Sequence, residues 1–246
     1  MARQDNSVDA ARLVQMLRAA AGEVRANGDA LGKYDSVGGD GDHGTTMARA
    51  MGNMEKAISD FGLAIADCGL QGKGARSANP QSEIRSPKSA ADLKTLLHNI
   101  GWAVMGTDGG ATGPLFGSFF MGMAPVAAGK RTLDARTLAG MFEGGLASIQ
   151  KASKAKQGDK TMLDALIPAV QSMRQAADGG AGVAASLRQA AEAAAQGAEA
   201  TKKMVARVGR AKNIGEKSLG SPDPGAVSVS LIFKGFSNVG GAEENA

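Results

Sequence analysis

The stretch GGDGDHGTTM, residues 38–47, sets Asp40 and Asp42 two residues apart among four glycines, and Asp35 lies five residues upstream of Asp40. Glycine gives up more conformational freedom on ordering than any other residue. Neighbouring carboxylates also repel unless something positive sits between them, so a loop of this kind is poor for stability. Three carboxylates within one eight-residue turn, 35–42, suit a hard cation, above all Mg²⁺ held by carboxylates together with substrate phosphates. A calcium helix–loop–helix would close a twelve-residue loop with a bidentate Glu, and no such Glu follows. Zinc would call for more His or Cys than the two His and one Cys of this chain. The plainer alternative is a solvated turn whose aspartates cap the next helix.

Other polar, glycine-rich segments recur at 107–114, 158–161, 209–220 and 221–225. Between them lie apolar residues at helical spacing. Leu13, Leu17, Ala21 and Val24 predict a first helix, capped by Ser7 and ended by Asn27-Gly28. Thr45 or Thr46 opens a second with Met47, Met51, Met54 and Ile58, a stripe that reads as core filling. Ser89 and Asp92 form a capping signal for a third, with Leu93, Leu96, Leu97, Ile100 and Val104. Pro114 suits the first turn of a fourth. A fifth carries Leu138 to Ile149, a sixth Leu163 to Val170, and an alanine-rich seventh runs from about Val183 to Val208. The last apolar run, Val227 to Phe233, alternates like a strand, but no second strand is evident to pair it, so helix is the expectation. The sequence thus predicts one all-α domain over 1–246 with about eight helices and no sheet. Residues 69–91 lack an apolar period and predict a long exposed insertion. The functional alternative for that segment is a basic flap over a site or a partner.

In an up-and-down bundle, alternate junctions share one end. The junctions before helices two, four, six and eight then gather Asp35, Asp40 and Asp42, the 109–112 loop, the 159–161 loop and the 223–225 loop. Each opens a helix, whose free N–H groups and dipole favour an anion. Phosphate fits those termini, and a hard cation fits the aspartates.

Composition excludes several classes. Net charge is +4, spread along the chain, and aromatic content is 4%, with one Trp and one Tyr. Nucleic-acid binding would call for a basic stripe with stacking aromatics. Cys68 is the only cysteine, so neither an intrachain disulfide nor a thiolate zinc site is expected, and it reads as a small buried hydrophobe. The N-terminus lacks a signal-peptide core and no run approaches a membrane span, which predicts a cytoplasmic protein. His98, on an amphipathic helix, reads as structural.

Four stretches in order, YDSVGGDGDHGTTM, DGGATGPLFGSFFMGMA, GDKTMLDALIPAV and VGRAKNIGEKSLGSPDPGAVS, make the chain resemble the nucleotide-binding L subunit, or C-terminal L domain, of the dihydroxyacetone kinase family. The likeness spans roughly residues 10–236. It implies a barrel of eight antiparallel helices with ADP or ATP and a pair of Mg²⁺ ions at one end. Asp35, Asp40 and Asp42 match the metal-holding aspartates. His43, Gly44, Thr45 and Thr46 match the start of a nucleotide-contacting helix. Ala111 and Thr112 match a phosphate loop, Met162 an adenine contact, and Arg210, Asp223, Pro224 and Gly225 further nucleotide contacts. Ser153 falls where the family often has Gly near the nucleotide. Two departures stand out: the long 69–91 segment, and Lys212-Asn213 where Ser and an aromatic are common.

The resemblance also implies partners. The family's sugar is held on a separate K subunit or domain by a hemiaminal to histidine, and 246 residues are too few to include it. The chain is then half of a kinase acting on dihydroxyacetone or a related ketose such as erythrulose. The phosphoryl source is either free ATP or a phosphocarrier protein fed by phosphoenolpyruvate. The competing class is a nucleotide-loaded partner of a transcription factor, without turnover.

Overall fold

The computed structural model describes residues 6–70 and 92–240. Among these, nine α-helices run in order: α1 Ala10–Ala26, α2 Gly28–Asp35, α3 His43–Leu70, α4 Leu93–Met105, α5 Thr112–Met123, α6 Ala135–Ala152, α7 Leu163–Asp178, α8 Val183–Ala200 and α9 Pro224–Gly240. Each long helix packs against its neighbours in the chain, α1 against α3, and α9 returns to α1. Eight long helices therefore close a ring, and α2 lies beside the start of α3 and α9. All-α architecture follows as expected, and the 227–233 run is helical.

The scarce aromatics are concentrated inside. Phe119, Phe120, Phe142, Phe233 and Phe236 meet at centroid distances of 5.1–6.2 Å, mostly edge to face, which suits the ring quadrupoles. Met47, Met51 and Met54 are fully buried, so the methionine stripe is core. At the closure of the ring, Gly235 on α9 lies so near α1 that a Cβ there would stand 2.4 Å from the Ala20 Cα. Backbone cannot yield as a flexible side chain can. Gly235→Ala gains helix propensity of about 1 kcal/mol yet should lower stability by a net ~1–3 kcal/mol, read as a fall in thermal midpoint of several degrees. An unchanged midpoint would contradict this packing of α1 on α9.

Several boundaries differ from expectation. Asp9, not Ser7, caps α1, its carboxylate accepting from the Arg12 N–H at 2.8 Å. Ser7 belongs instead to β1, Ser7–Asp9, which pairs antiparallel with β2, Thr132–Asp134, in register Ser7↔Asp134. Three-residue strands are too short to show an alternation, which is why the sheet was invisible. Asn27 ends α1, but the chain re-enters helix at once, so Asp35 closes α2 rather than sitting in a loop. Helix α3 begins at His43, two to three residues before Thr45 and Thr46, with the Asp42 carbonyl accepting from the Thr46 N–H. Helix α8 stops at Ala200, not Val208: the Thr201 N–H turns to the Ala198 carbonyl three residues back, and the chain tightens into a 3₁₀ turn that ends at extended Met204. The 209–220 junction is not open loop but 3₁₀ over 210–218. Asp92 caps α4, as expected, accepting from the Lys94 N–H and the Thr95 hydroxyl. The expectations for Ser89, the Cys68 side chain and most of the 69–91 segment fall outside the described residues. No helix among the described residues is long and apolar enough to cross a membrane.

Candidate functional site

Helices α3, α5, α7 and α9 all begin at one cavity of about 310 Å³. Its wall includes Asp35, Asp40, Asp42 and His43, the 109–112 loop, Lys160 to Met162, Val208 to Ala211, and Ser221 to Gly225. Ring alternation thus gathers the unusual junctions, as the sequence argument expected.

The acidic corner is tight. One carboxylate oxygen from each of Asp35, Asp40 and Asp42 lies within 4.8 Å of the others. Asp35 is held at the end of α2, and the His43 N–H donates to it at 3.3 Å. Asp40 pairs with Arg210, and this bond holds its carboxyl below the usual range. Burial, then the neighbouring Asp40, push the Asp42 carboxyl up. Arg210 is the one cation paired to this corner among the described ion pairs, against three carboxylates. The crowding and the all-oxygen donor set fit a hard dication such as Mg²⁺.

The remaining wall is built for shape. His43 is largely buried, which pulls its pKa down and favours the neutral ring. Its Nε2 lies 2.9 Å from Ser228 Oγ and its Nδ1 3.5 Å from Thr112 Oγ1, so one imidazole ties together the N-terminal ends of α3, α5 and α9. Gly109 adopts φ +126°, and a Cβ there would stand 2.4 Å from Thr46 Oγ1. That left-handed conformation and that contact both demand glycine. Thr46 Oγ1 is buried beside it without a hydrogen-bond partner. The 158–164 loop is wound around Asp164, whose carboxylate accepts from the Gly158 N–H at 2.5 Å and the Thr161 N–H at 2.7 Å. Lys160 in that loop is the single non-glycine residue with positive φ among the described residues, at 61°, a conformation costing roughly 1–2 kcal/mol. Leu115, Phe116, Met162, Val208 and Ile214 supply an apolar wall.

Of the residues expected at the site, Asp35, Asp40, Asp42, His43, Ala111, Thr112, Met162, Arg210, Asp223, Pro224 and Gly225 line the cavity. Gly44 and Thr46 are buried behind it and Thr45 is exposed. Ser153 is not in the lining. It ends α6, its hydroxyl accepting from the Ala155 N–H. His98 is exposed on α4 against the edge of Trp102. Lys160, Ser228 and, apart from Met162, the apolar wall residues were not singled out as site residues, because their roles arise from tertiary neighbours rather than from local spacing.

Asp223 caps α9 through the Ala226 N–H at 2.7 Å. The residue opens partly onto the cavity, but its carboxyl lies deep, and burial pushes its pKa up to about 7. Below about pH 4 the group is protonated in both the folded and unfolded chain. As pH rises towards 7 the unfolded chain ionises first, so this group's contribution to stability is lost over that window. Asp223→Asn should therefore gain thermal midpoint relative to the parent between pH 4 and 7 and hold that gain above 7. A difference independent of pH would contradict the burial of this carboxyl.

Residues 66–238 match the DAK2 domain. The chain belongs to the DAK2 family. Among DAK2 relatives, the ADP-binding subunit DhaL of the PEP-dependent dihydroxyacetone kinase of Escherichia coli is 34% identical over 196 residues, 80% of each chain. L-erythrulose kinase of Pectobacterium atrosepticum is 32% identical over 91% of this DAK2 chain and 34% of its own length. The crystal structure of the C. freundii dihydroxyacetone kinase in complex with AMP-PNP and Mg²⁺ superposes with TM-score 0.63 at 24% identity, covering 97% of this chain and 36% of that one. That likeness establishes the shared fold. The DAK2 chain spans about a third of the single-chain kinases it matches.

Proposed function

We propose that this chain is the nucleotide-binding subunit of a dihydroxyacetone-type kinase, carrying ADP or ATP with a pair of Mg²⁺ ions. Its phosphoryl group would pass to a short ketose held on a separate sugar-binding K subunit. The observation that carries this reading is the meeting of Asp35, Asp40 and Asp42 within 4.8 Å on the wall of a cavity where four helices begin.

Mg²⁺ bound by these aspartates supplies charge neutralisation and a template for the phosphates. The chain's own residues do the rest. The N–H groups opening α5, and those of α3 beyond the His43 N–H that Asp35 already takes, would offer donors to phosphate oxygens. Arg210, exposed and, among the described ion pairs, joined to an exposed Asp40, is placed to turn its guanidinium to a phosphate. Neutral His43 fixes the Thr112 hydroxyl. Met162, Leu115 and Phe116 offer apolar surface to a base. Phosphoryl transfer rests on positioning and electrostatics, so no protein nucleophile is required.

Erythrulose stays open as the acceptor, since an L-erythrulose kinase is among the relatives and the acceptor would be chosen on the partner rather than on this chain. Calorimetry tests the core of the proposal. ADP should bind the purified chain one to one with Mg²⁺ and lose that binding when EDTA replaces the metal. No binding under either condition would overturn the proposal.

A further inference from the structure

We infer that Lys160 is a positioning residue for the nucleotide, its ammonium locking together the three segments that form one wall of the cavity. This rests on the proposed function for the identity of the ligand, and on the geometry for the rest.

Lys160 is 6% exposed. Its Nζ donates to the Thr201 carbonyl at 2.7 Å and to the Ser221 carbonyl at 2.6 Å. These acceptors lie 41 and 61 residues away in sequence; the Asp223 carboxyl acts on the ammonium through space, but no ion pair described in the structure joins Lys160 to a carboxylate. The ammonium therefore serves as a bridge between backbone segments. Around it the same segments are cross-tied. The Asp223 N–H donates to Thr201 Oγ1 at 2.8 Å, the Arg207 N–H to the Asp159 carbonyl at 3.1 Å, and the Gly220 N–H to the Lys202 carbonyl at 2.8 Å.

Each tied segment delivers cavity residues: Met162 from the first, Arg210 from the second, and Asp223 to Gly225 from the third. None of the three is held to the others by regular secondary structure. A buried carbonyl left without its donor is expensive, so removing the ammonium should loosen the second and third segments against the first. The strained backbone of Lys160 is consistent with a residue kept where its surroundings over-determine it.

The test compares Lys160→Met with Arg174→Ala. Arg174 makes a two-point bond to Glu143 between α6 and α7 at 2.8 and 2.7 Å, and neither residue lines the cavity. Circular dichroism checks that both variants fold; should Lys160→Met not fold, Lys160→Gln is read in its place. ADP affinity with Mg²⁺ should weaken at least tenfold in the Lys160 variant and stay within twofold in Arg174→Ala. Hydrogen–deuterium exchange on the ligand-free chain should quicken at the amides of 201–209 and 218–226 only in the Lys160 variant. ADP affinity within threefold of the parent, equal loss in Arg174→Ala, or unchanged exchange in those segments would each overturn the inference. A parent chain that binds no ADP would overturn the proposed function, while the exchange comparison would still decide whether Lys160 ties the wall.

Discussion

The 246-residue chain alone should transfer no phosphoryl group from ATP to dihydroxyacetone. With a family sugar-binding subunit added, turnover should appear at a rate typical of kinases, about 1–100 s⁻¹. The physical basis is placement. The cavity gathers three close carboxylates, helix N-termini and an apolar wall, and its imidazole and ammonium are both engaged in holding the wall, His43 by Ser228 and Thr112 and Lys160 by the Thr201 and Ser221 carbonyls, so neither is placed to hold a ketone covalently. Fixing an acceptor against the donor phosphate removes a large part of the barrier, so the loss without a partner is on the order of 10³-fold or more. The shares covered point the same way. The chain matches 80% of a relative named as an ADP-binding subunit but 34% of a relative named as a whole kinase. A coupled assay with the purified chain checks this, with mass spectrometry to exclude a co-purified subunit. Robust turnover by the chain alone would contradict the division of labour. A complex that forms and binds nucleotide but never turns over would favour the regulatory reading.

Asp40→Ala should reduce ADP affinity in the presence of Mg²⁺ by at least about a hundredfold, or ~2.7 kcal/mol. Even outer partners of metal ligands commonly change affinity by 10–100-fold, and Asp40 is proposed as a ligand itself. The direction of the effect separates two accounts. In the structure Asp40 is bonded to Arg210. If that were its whole purpose, the substitution would free a guanidinium for phosphate and ADP would bind as well or better. If Asp40 completes a metal site, affinity collapses although a cation has been released. Asp40 is exposed, so thermal stability should move little, and a binding loss cannot be blamed on unfolding. Calorimetry of the variant with and without EDTA reads the outcome.

Much of the site was legible because it depends on local chemistry plus one topological rule. Paired aspartates among glycines announce a cation, helix-opening junctions announce anion sites, and ring alternation brings alternate junctions to one end. Asp92 capping α4 is local in the same sense. What stayed hidden depends on partners far along the chain. Lys160 looks like an ordinary loop lysine until Thr201 and Ser221 are folded around it. Ser228 sits in an apolar run and gains meaning only from His43. The short α2 was missed because Asn27-Gly28 reads as a stop, and only the packing of α2 on α3 shows why helix resumes. The 3₁₀ run at 210–218 breaks at Gly215, φ 53°, a geometry that no periodicity could reveal.

The central claim is that Asp35, Asp40 and Asp42 hold metal for a nucleotide in this cavity. The most direct measurement is a crystal structure of the chain with ADP and Mn²⁺, a hard oxygen-seeking substitute for Mg²⁺, phased for anomalous signal. Anomalous peaks within about 2–2.5 Å of oxygens from all three aspartates, with ADP phosphates on their far side and the base against Met162, are the predicted result. ADP bound elsewhere, or in the cavity with no metal at the aspartates, would contradict the account.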